Sequence, residues 1–470
     1  MGIIQTMRNV MIRLRWMGFF LMLAGAAALY AQPDSLWSRS YGTGGVESAF
    51  AMVETADGGT ALAGWQLPFA GTNYDFWLVR TAANGDSLWS RTYGSATQND
   101  YCYALARTSD GGFALSGYTE AQALGPTDAW LIKTDVNGNE AWNHRYGGTG
   151  FDWCIALQQI SDNGYILAGW TNPSETGIGN GWIARTNVSG DTLWTRSLGG
   201  TGEDRFYGVR QTTDGGFIAA GRTSSSGAGG FDVWLVRLDA NGQTQWNRTY
   251  GGAGSDICYA MDVTSDGGFI CAGSSASYGA GGDDIWLLRV NASGDSLWSR
   301  TFGGALADRA WSVDEEPDGS ITLGGQTASS GSGGDDFWII HTDNAGSLIW
   351  SRTLGGIGAD ICYEAVRTSD GNYRLAGQTG SYGAGYDDMW LVELQPLTAP
   401  QSLTIYVSGN DVRLRWRNDE SLLYQVFSDT LAEGSFVTQV GVTSDTSLVI
   451  ANGALAFSKR FYRVVGVSLP

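Results

Sequence analysis

Carboxylates recur along this 470-residue chain at a fixed spacing, and carboxylates can ligate cations or do acid–base work. One series is Glu47, Asp100, Asp152, Asp204, Asp256, Asp308 and Asp360. A second is Asp75, Asp128, Asp232, Asp284, Asp336 and Asp388, with Asn180 standing in once; both advance by 52 or 53 residues. Hard cations take several oxygen ligands, so the first series, brought together on one axis, would suit calcium. Paired carboxylates would also serve glycoside hydrolysis. The plainer reading is structural, because an Asp at a loop-to-strand junction accepts backbone N–H groups and fixes the turn. The chain has only His144 and His341, and no serine or cysteine in a nucleophile motif, so no catalytic residue is expected. A carboxylate-dependent glycan-active enzyme is the least favoured alternative.

The spacing of the acids belongs to a larger repeat. Trp37, Trp89, Trp142, Trp194, Trp246, Trp298 and Trp350 form one tryptophan series, and Trp77, Trp130, Trp182, Trp234, Trp286, Trp338 and Trp390 a second. A period of this length marks an array or a ring whose units cannot bury their apolar faces alone. Within the second unit, "YCYALART", "GFALSGYT", "AWLIKTD" and "EAWNHRY" read as strands a to d. "SDGG" and "VNGN" are the hairpin turns between them. Four antiparallel strands in about 50 residues make one propeller blade, so an all-β, seven-bladed propeller is expected. The array begins with a lone fourth strand, residues 36–42, and ends at "DDMWLVEL", a third strand with no fourth. Pairing these two ends in the last blade closes the ring and removes an exposed edge.

Strands a and c run in one direction, which puts both acid series on the face that carries the b-to-c loops and d-to-a crossovers. Loops on a rigid scaffold commonly carry function, so this face is the place to look. The ligand-binding candidates there are the nonrepeating Trp65, Trp153 and Trp170, suited to stacking on a glycan, and the extra acids Asp283, Asp335 and Asp387. The repeating tryptophans read as interblade docking points. Burying one removes roughly 150–250 Å², or about 4–6 kcal/mol as an upper bound. Arg39, Arg91, Arg196, Arg248, Arg300 and Arg352 follow two residues later on the same strand face, placed to stack or to pair with a neighbouring blade. Cys102, Cys154, Cys258 and Cys362 share one repeat position in different blades, and Cys271 is not opposite Cys258. They read as core residues without a structural disulfide.

The spacing Gly-x-x-x-Trp in "TDVNGNEAW" resembles the tryptophan-docking motif of quinoprotein-type propellers, and residues 34–397 resemble the repeats of exported bacterial β-propeller proteins. That resemblance implies the fold. Quinone-dependent relatives usually have eight blades and often a vicinal cysteine pair, and this chain has neither, so their activity is not carried over. "GAGGDDIW" is similar to glycine-aspartate calcium repeats, without a DxDxDG loop. Residues 398–470 resemble a fibronectin type III-like sandwich with Trp416 at its core.

Residues 1–31 place Arg8, Arg13 and Arg15 before the apolar run "MGFFLMLAGAAALY", the order of a signal peptide cut after Ala31. The expected location is outside the cytoplasm: extracellular, cell surface or periplasmic. The net charge is −19, and the acids are concentrated in the repeats. That disfavours nucleic acid, which needs basic patches. The function expected is a noncatalytic, secreted or cell-surface binding protein, with a protein or glycan as partner at the acidic loop face. No cofactor is expected apart from calcium, no membrane span once the leader is removed, and a monomer. A structural envelope or extracellular scaffold protein is the main alternative.

Overall fold

The computed structural model describes residues 35–396, except 69–70, 96, 121–124 and 173–177, and the backbone of six strands between 401 and 468. The leader, residues 1–31, lies outside the described residues, as does the Trp416 side chain. The architecture is all-β. Seven four-stranded sheets form among the described residues, and each first strand lies beside the first strand of the next sheet, with the last beside the first. This is a seven-bladed β-propeller.

The inner strands a are Val46–Glu54, Asp100–Arg107, Phe151–Gln159, Asp204–Gln211, Asp256–Val263, Asp308–Glu315 and Asp360–Arg367. Strands b and c follow by hairpin and loop, and strands d form the outer rim, largely exposed as in Thr192–Leu198 but half-buried in Leu348–Leu354 of blade six. In blade seven the sheet order places Ser35–Tyr41 beside Asp388–Leu394, so a strand from the start of the chain is the outer strand of the last blade. Joining first and last blades, Ala49, Met52, Leu62 and Trp77 bury against Ala376, Met389 and Leu391. The core is therefore divided among seams. At the next one, Phe76 and Leu78 of blade one pack with Phe113, Trp130 and Ile132 of blade two.

The turns explain why the repeat folds locally as it does. In the a-to-b turns of blades one to five, the turn Asp caps the loop and reaches a basic residue on strand c, as Asp110 does with Lys133 (2.9 Å) and Asp214 with Arg237 (2.6 Å). In each c-to-d turn a glycine with positive φ sits under a tryptophan of the preceding blade. Gly85 lies under Trp37, Gly138 under Trp89, Gly190 under Trp142, Gly242 under Trp194, Gly294 under Trp246 and Gly346 under Trp298. The arginines two residues on lie near the same indoles, with Arg196 5.3 Å from the Trp194 ring. Where strand d ends in tyrosine (Tyr41, Tyr93, Tyr146 and Tyr250), the hydroxyl donates to the same turn's carbonyl, as Tyr93 does to Gly138 (2.6 Å). All five cysteines are buried and free; Cys258 pairs across the hairpin with Gly273, and Cys271 with Met261.

The C-terminal strands belong to a separate compact unit that includes Leu394–Pro470. They pair into two three-stranded antiparallel sheets. Asp411–Arg417 is central in one, between Gln401–Ser408 and Ser447–Ile450, and Leu422–Asp429 is central in the other, between Thr438–Thr443 and Phe461–Ser468.

The tryptophan dock can be separated from backbone strain. Gly242 (φ +76°) and Gly215 (φ +81°) have the same conformation, but a Cβ would meet the Trp194 ring at 2.9 Å from Gly242 and open space from Gly215. Both alanine variants carry the left-handed conformational cost. Gly242→Ala is expected to be less stable than Gly215→Ala by a further ~1–3 kcal/mol of overpacking, read as a lower unfolding midpoint in denaturant. Equal midpoints would show that the dock adds nothing.

Candidate functional site

The seven inner strands converge on one axis and line a channel with a cavity of about 320 Å³. Every one of them carries a β-bulge at the same repeat position. Its register shift brackets Phe50, Tyr103, Ile155, Tyr207, Tyr259, Trp311 or Tyr363. A bulge puts two consecutive side chains on nearly the same face, and both the bulged residue and its successor line the channel in every blade. Six of the seven bulged residues are aromatic. They contact one another from blade to blade: Tyr207 to Tyr259 at 5.3 Å, Tyr259 to Trp311 at 4.4 Å, Trp311 to Tyr363 at 5.6 Å and Tyr363 to Phe50 at 4.1 Å between ring centres. The following residue is small in six blades (Ala51, Ala104, Ala156, Gly208, Ala260, Ser312) and Glu364 in the seventh.

Toward the hairpin end of the channel lie Arg210, Asp262 and Asp314, near the ends of their strands. Arg210 approaches Asp262 at 3.6 Å. Burial pushes the Glu364 carboxyl up to about 8, against the pull of Arg210 and with help from Asp314 and Asp262. Burial also raises Asp314, with Asp262 adding to it.

At the loop-bearing mouth the blades divide into three groups. Blades one to three form an aromatic wall: Trp65 lies 4.2 Å from Phe50 and 5.2 Å from Tyr101, Tyr101 meets Tyr118 at 5.0 Å, and Tyr118 stacks on Trp153 at 4.9 Å. Blade four contributes Arg205, 4.6 Å over Trp170 and 5.3 Å over Trp153, and Arg222, 4.0 Å over Phe231. Glu203 holds both guanidiniums at 2.6 Å. Blades five to seven contribute Asp283, Asp335 and Asp387, and Asp283 pairs with Arg309 at 2.8 Å.

These three acids occupy a repeat position whose backbone has a constant task. The residue before the strand-c acid (Tyr74, Thr127, Gly179, Phe231, Asp283, Asp335 or Asp387) accepts, through its carbonyl, the N–H of the first acid of the next blade's inner strand, at 2.6–3.0 Å. The last of the seven bonds runs from Glu47 to Asp387 and joins the two ends of the ring.

The sequence-derived candidates separate accordingly. Trp65, Trp153 and Trp170 are brought onto one wall, Trp153 and Trp170 as cross-strand partners. Trp170 is only 5% exposed and covered by Arg205. Trp153 has Tyr118 on one side and Arg205 near it. Trp153 and Trp170 are thus partly covered by protein, because cross-strand neighbours are close enough to pack on one another, while Trp65 stays half-buried at the mouth.

The cation candidates Glu47, Asp100, Asp152, Asp204, Asp256, Asp308 and Asp360 all have protein donors on their carboxylates. Each caps the crossover or loop of its own blade. Asp256 accepts from the Gly252 N–H (2.8 Å), the Ser277 hydroxyl (2.6 Å) and the Ser275 hydroxyl. Asp308 accepts from Gly304 and Ser329, and Asp360 from Gly356, Thr379 and Ser381. Asp204, Asp152, Asp100 and Glu47 take equivalent donors. Among the described residues no three His, Cys, Asp or Glu side chains stand where they could hold a metal ion.

The aromatic bulge ring and Glu364 were missed by the sequence reading. Their signal was an aromatic residue three positions after the strand-a acid in six units. It lay outside the tryptophan series and was hidden by the extra residue in each strand.

No family model and no curated protein matches the chain. Among solved structures it is similar to the WD40 domain of Neurospora crassa Pan2 (12% identity, TM-score 0.47, covering 75% of this chain and 90% of that one). It is also similar to YCF48 bound to D1 peptide (10%, 0.46, 80% and 100%) and to BamB from Moraxella catarrhalis (14%, 0.40, 78% and 100%).

At six of the seven seams the strand-c acid of one blade faces the strand-a acid of the next; Asn180 takes its place in blade three. Burial and the nearby Asp100 push Asp75 up to about 6 from an ordinary 3.8. A carboxyl raised in the folded state destabilises the fold once it ionises, so the cost is absent below the unfolded value and complete above about 6. Asp75→Asn puts in blade one the residue type that blade three carries at Asn180. Its melting temperature should exceed that of the parent above pH ~6, with the gap closing below pH ~4. A gap that is constant across this range would refute the repulsion.

Proposed function

We propose that this chain is an exported, noncatalytic binding protein whose loop face recognises a segment of another protein. The observation that carries this reading is the polarised mouth, with aromatic edges on blades one to three, guanidiniums on blade four and carboxylates on blades five to seven. Half-buried Trp65, Tyr74 and Tyr101 offer apolar edges, and Asp335 and Asp387 offer negative charge across the opening. An extended peptide with an apolar side chain at one end and a basic one at the other matches that distribution. A binding role is also favoured over an enzymatic one by the commitment of the seam carboxylates to loop donors. The glycan alternative loses its main support with the covering of Trp153 and Trp170. The C-terminal unit, read as fibronectin type III-like, would serve as a spacer, and the leader would direct export.

Selection of an unbiased peptide library on the full chain tests the mouth. Enriched peptides should pair aromatic or aliphatic residues with Lys or Arg. Their affinity should fall at least about tenfold, ~1.4 kcal/mol, in Tyr101→Ala and in the double variant Asp335→Ser, Asp387→Ser. Peptides that bind these variants as well as the parent, or saturable binding to a glycan panel alone, would overturn the reading. Export is checked separately: chain recovered outside a secreting host should begin at Gln32, and a chain retained inside with Met1 would remove the export claim.

A further inference from the structure

The channel combines two features that recognise one kind of ligand. On blades four to seven, Tyr207, Tyr259, Trp311 and Tyr363 form an arc of rings in successive contact, and the arc lines the cavity. Their orientation is held from behind: the Trp311 indole donates to the Gln326 side-chain oxygen at 2.8 Å. The same four blades carry the charged groups of the channel floor, Arg210, Asp262, Asp314 and Glu364. Glu364 breaks a ring of small residues and opens on the cavity, and its carboxylate accepts no hydrogen bond and forms no ion pair among the described residues. Its half-buried surface faces the lumen of the channel rather than bulk solvent. A carboxyl desolvated in this way without a donor has an unfilled requirement for positive charge. The π faces of tyrosine and tryptophan attract the same charge.

We propose that the channel is a binding site for a small organic cation of the ammonium type, held between the Glu364 carboxylate and the cavity-lining arc of Tyr259, Trp311 and Tyr363. The cavity of about 320 Å³ falls at the small end of the roughly 300–1,000 Å³ range of ligand pockets, which suits a compact alkylammonium group. A hydrated metal ion is not the ligand these groups select, since aromatic rings replace most of the oxygen donors such an ion requires. The proposal is independent of the rim, because none of the four central groups lies at the mouth.

The charged and titratable groups facing Glu364 set the pH dependence. The Arg210 guanidinium favours the Glu364 carboxylate, and Asp314 and Asp262 oppose it. Arg205 stands at the mouth end, paired with Glu203. Burial holds the hydroxyls of Tyr103, Tyr207, Tyr259 and Tyr363 above their ordinary value, so they stay neutral. Without a ligand Glu364 keeps its proton up to about pH 8. A bound cation favours the carboxylate, so cation and proton compete, and binding tightens as pH rises through that value.

Titration calorimetry and tryptophan fluorescence with choline and its uncharged carbon isostere test this on the full chain. Choline should bind saturably and the isostere at least about tenfold more weakly. Choline binding should release protons and strengthen with pH. Glu364→Gln should weaken choline about tenfold or more and abolish the pH dependence while leaving the isostere unchanged. Arg210→Gln, which removes the internal competing cation, should tighten choline binding, a gain that a misfolded variant would not produce. Rim variants at Asp335 and Asp387 should bind choline as the parent does. Equal binding of choline and isostere, no saturable binding of choline, or undiminished choline binding in a folded Glu364→Gln would overturn the proposal.

Discussion

The rest of the structure depends on the seam between neighbouring blades. Each seam is pinned by the same recurring backbone hydrogen bond, from the first N–H of an inner strand to the carbonyl before strand c of the previous blade. Around that bond, the apolar faces of two sheets bury against each other. A lone four-stranded sheet would leave both an apolar face and an edge exposed. Both are covered only when all seven seams are made, including the one between the ends of the array. The strand Ser35–Tyr41 is therefore part of the last blade's sheet, and Trp37 packs on Gly85 in the first blade.

Because the seam is built from peptide groups, its side chains are free to vary. The position filled by Tyr74, Thr127, Gly179, Phe231, Asp283, Asp335 and Asp387 makes the same bond whichever residue stands there. Asp283, which repeats no structural acid, thus has a structural role through its carbonyl and a separate electrostatic one through its pairing with Arg309. The bulges divide the labour similarly. Their extra residue re-aims each inner strand, and the side chain it exposes to the axis is one that packing against the neighbouring sheet does not dictate.

Much of the fold was legible before the structure. The period, the Asp-Gly and Asn-Gly turns and the two tryptophan series are local signals repeated seven times, and repetition averages away the noise of any one unit. The acids at the loop-to-strand junctions were also readable as turn caps, since their donors lie within the same unit. Trp65, Trp153 and Trp170 stood out by their rarity in the repeat. Rarity carries no information about exposure, and Trp153 and Trp170 turn out to be each other's partners across two strands. The aromatic ring of the channel was hidden by the bulge, which interrupts the alternation on which a strand's inward face is recognised.

The sequence by itself determined the blade, its turns, its number and the complementary loose ends, because each of these is written within one unit or in the spacing between units. Only the tertiary structure decided which side chains share an axis. Glu364, Asp314, Asp262 and Arg210 belong to four different blades, and no local pattern links them. They meet because closing the ring brings every inner strand to the same centre, where burial raises the Glu364 and Asp314 carboxyls and the bulges set the rings of Tyr259, Trp311 and Tyr363 beside them.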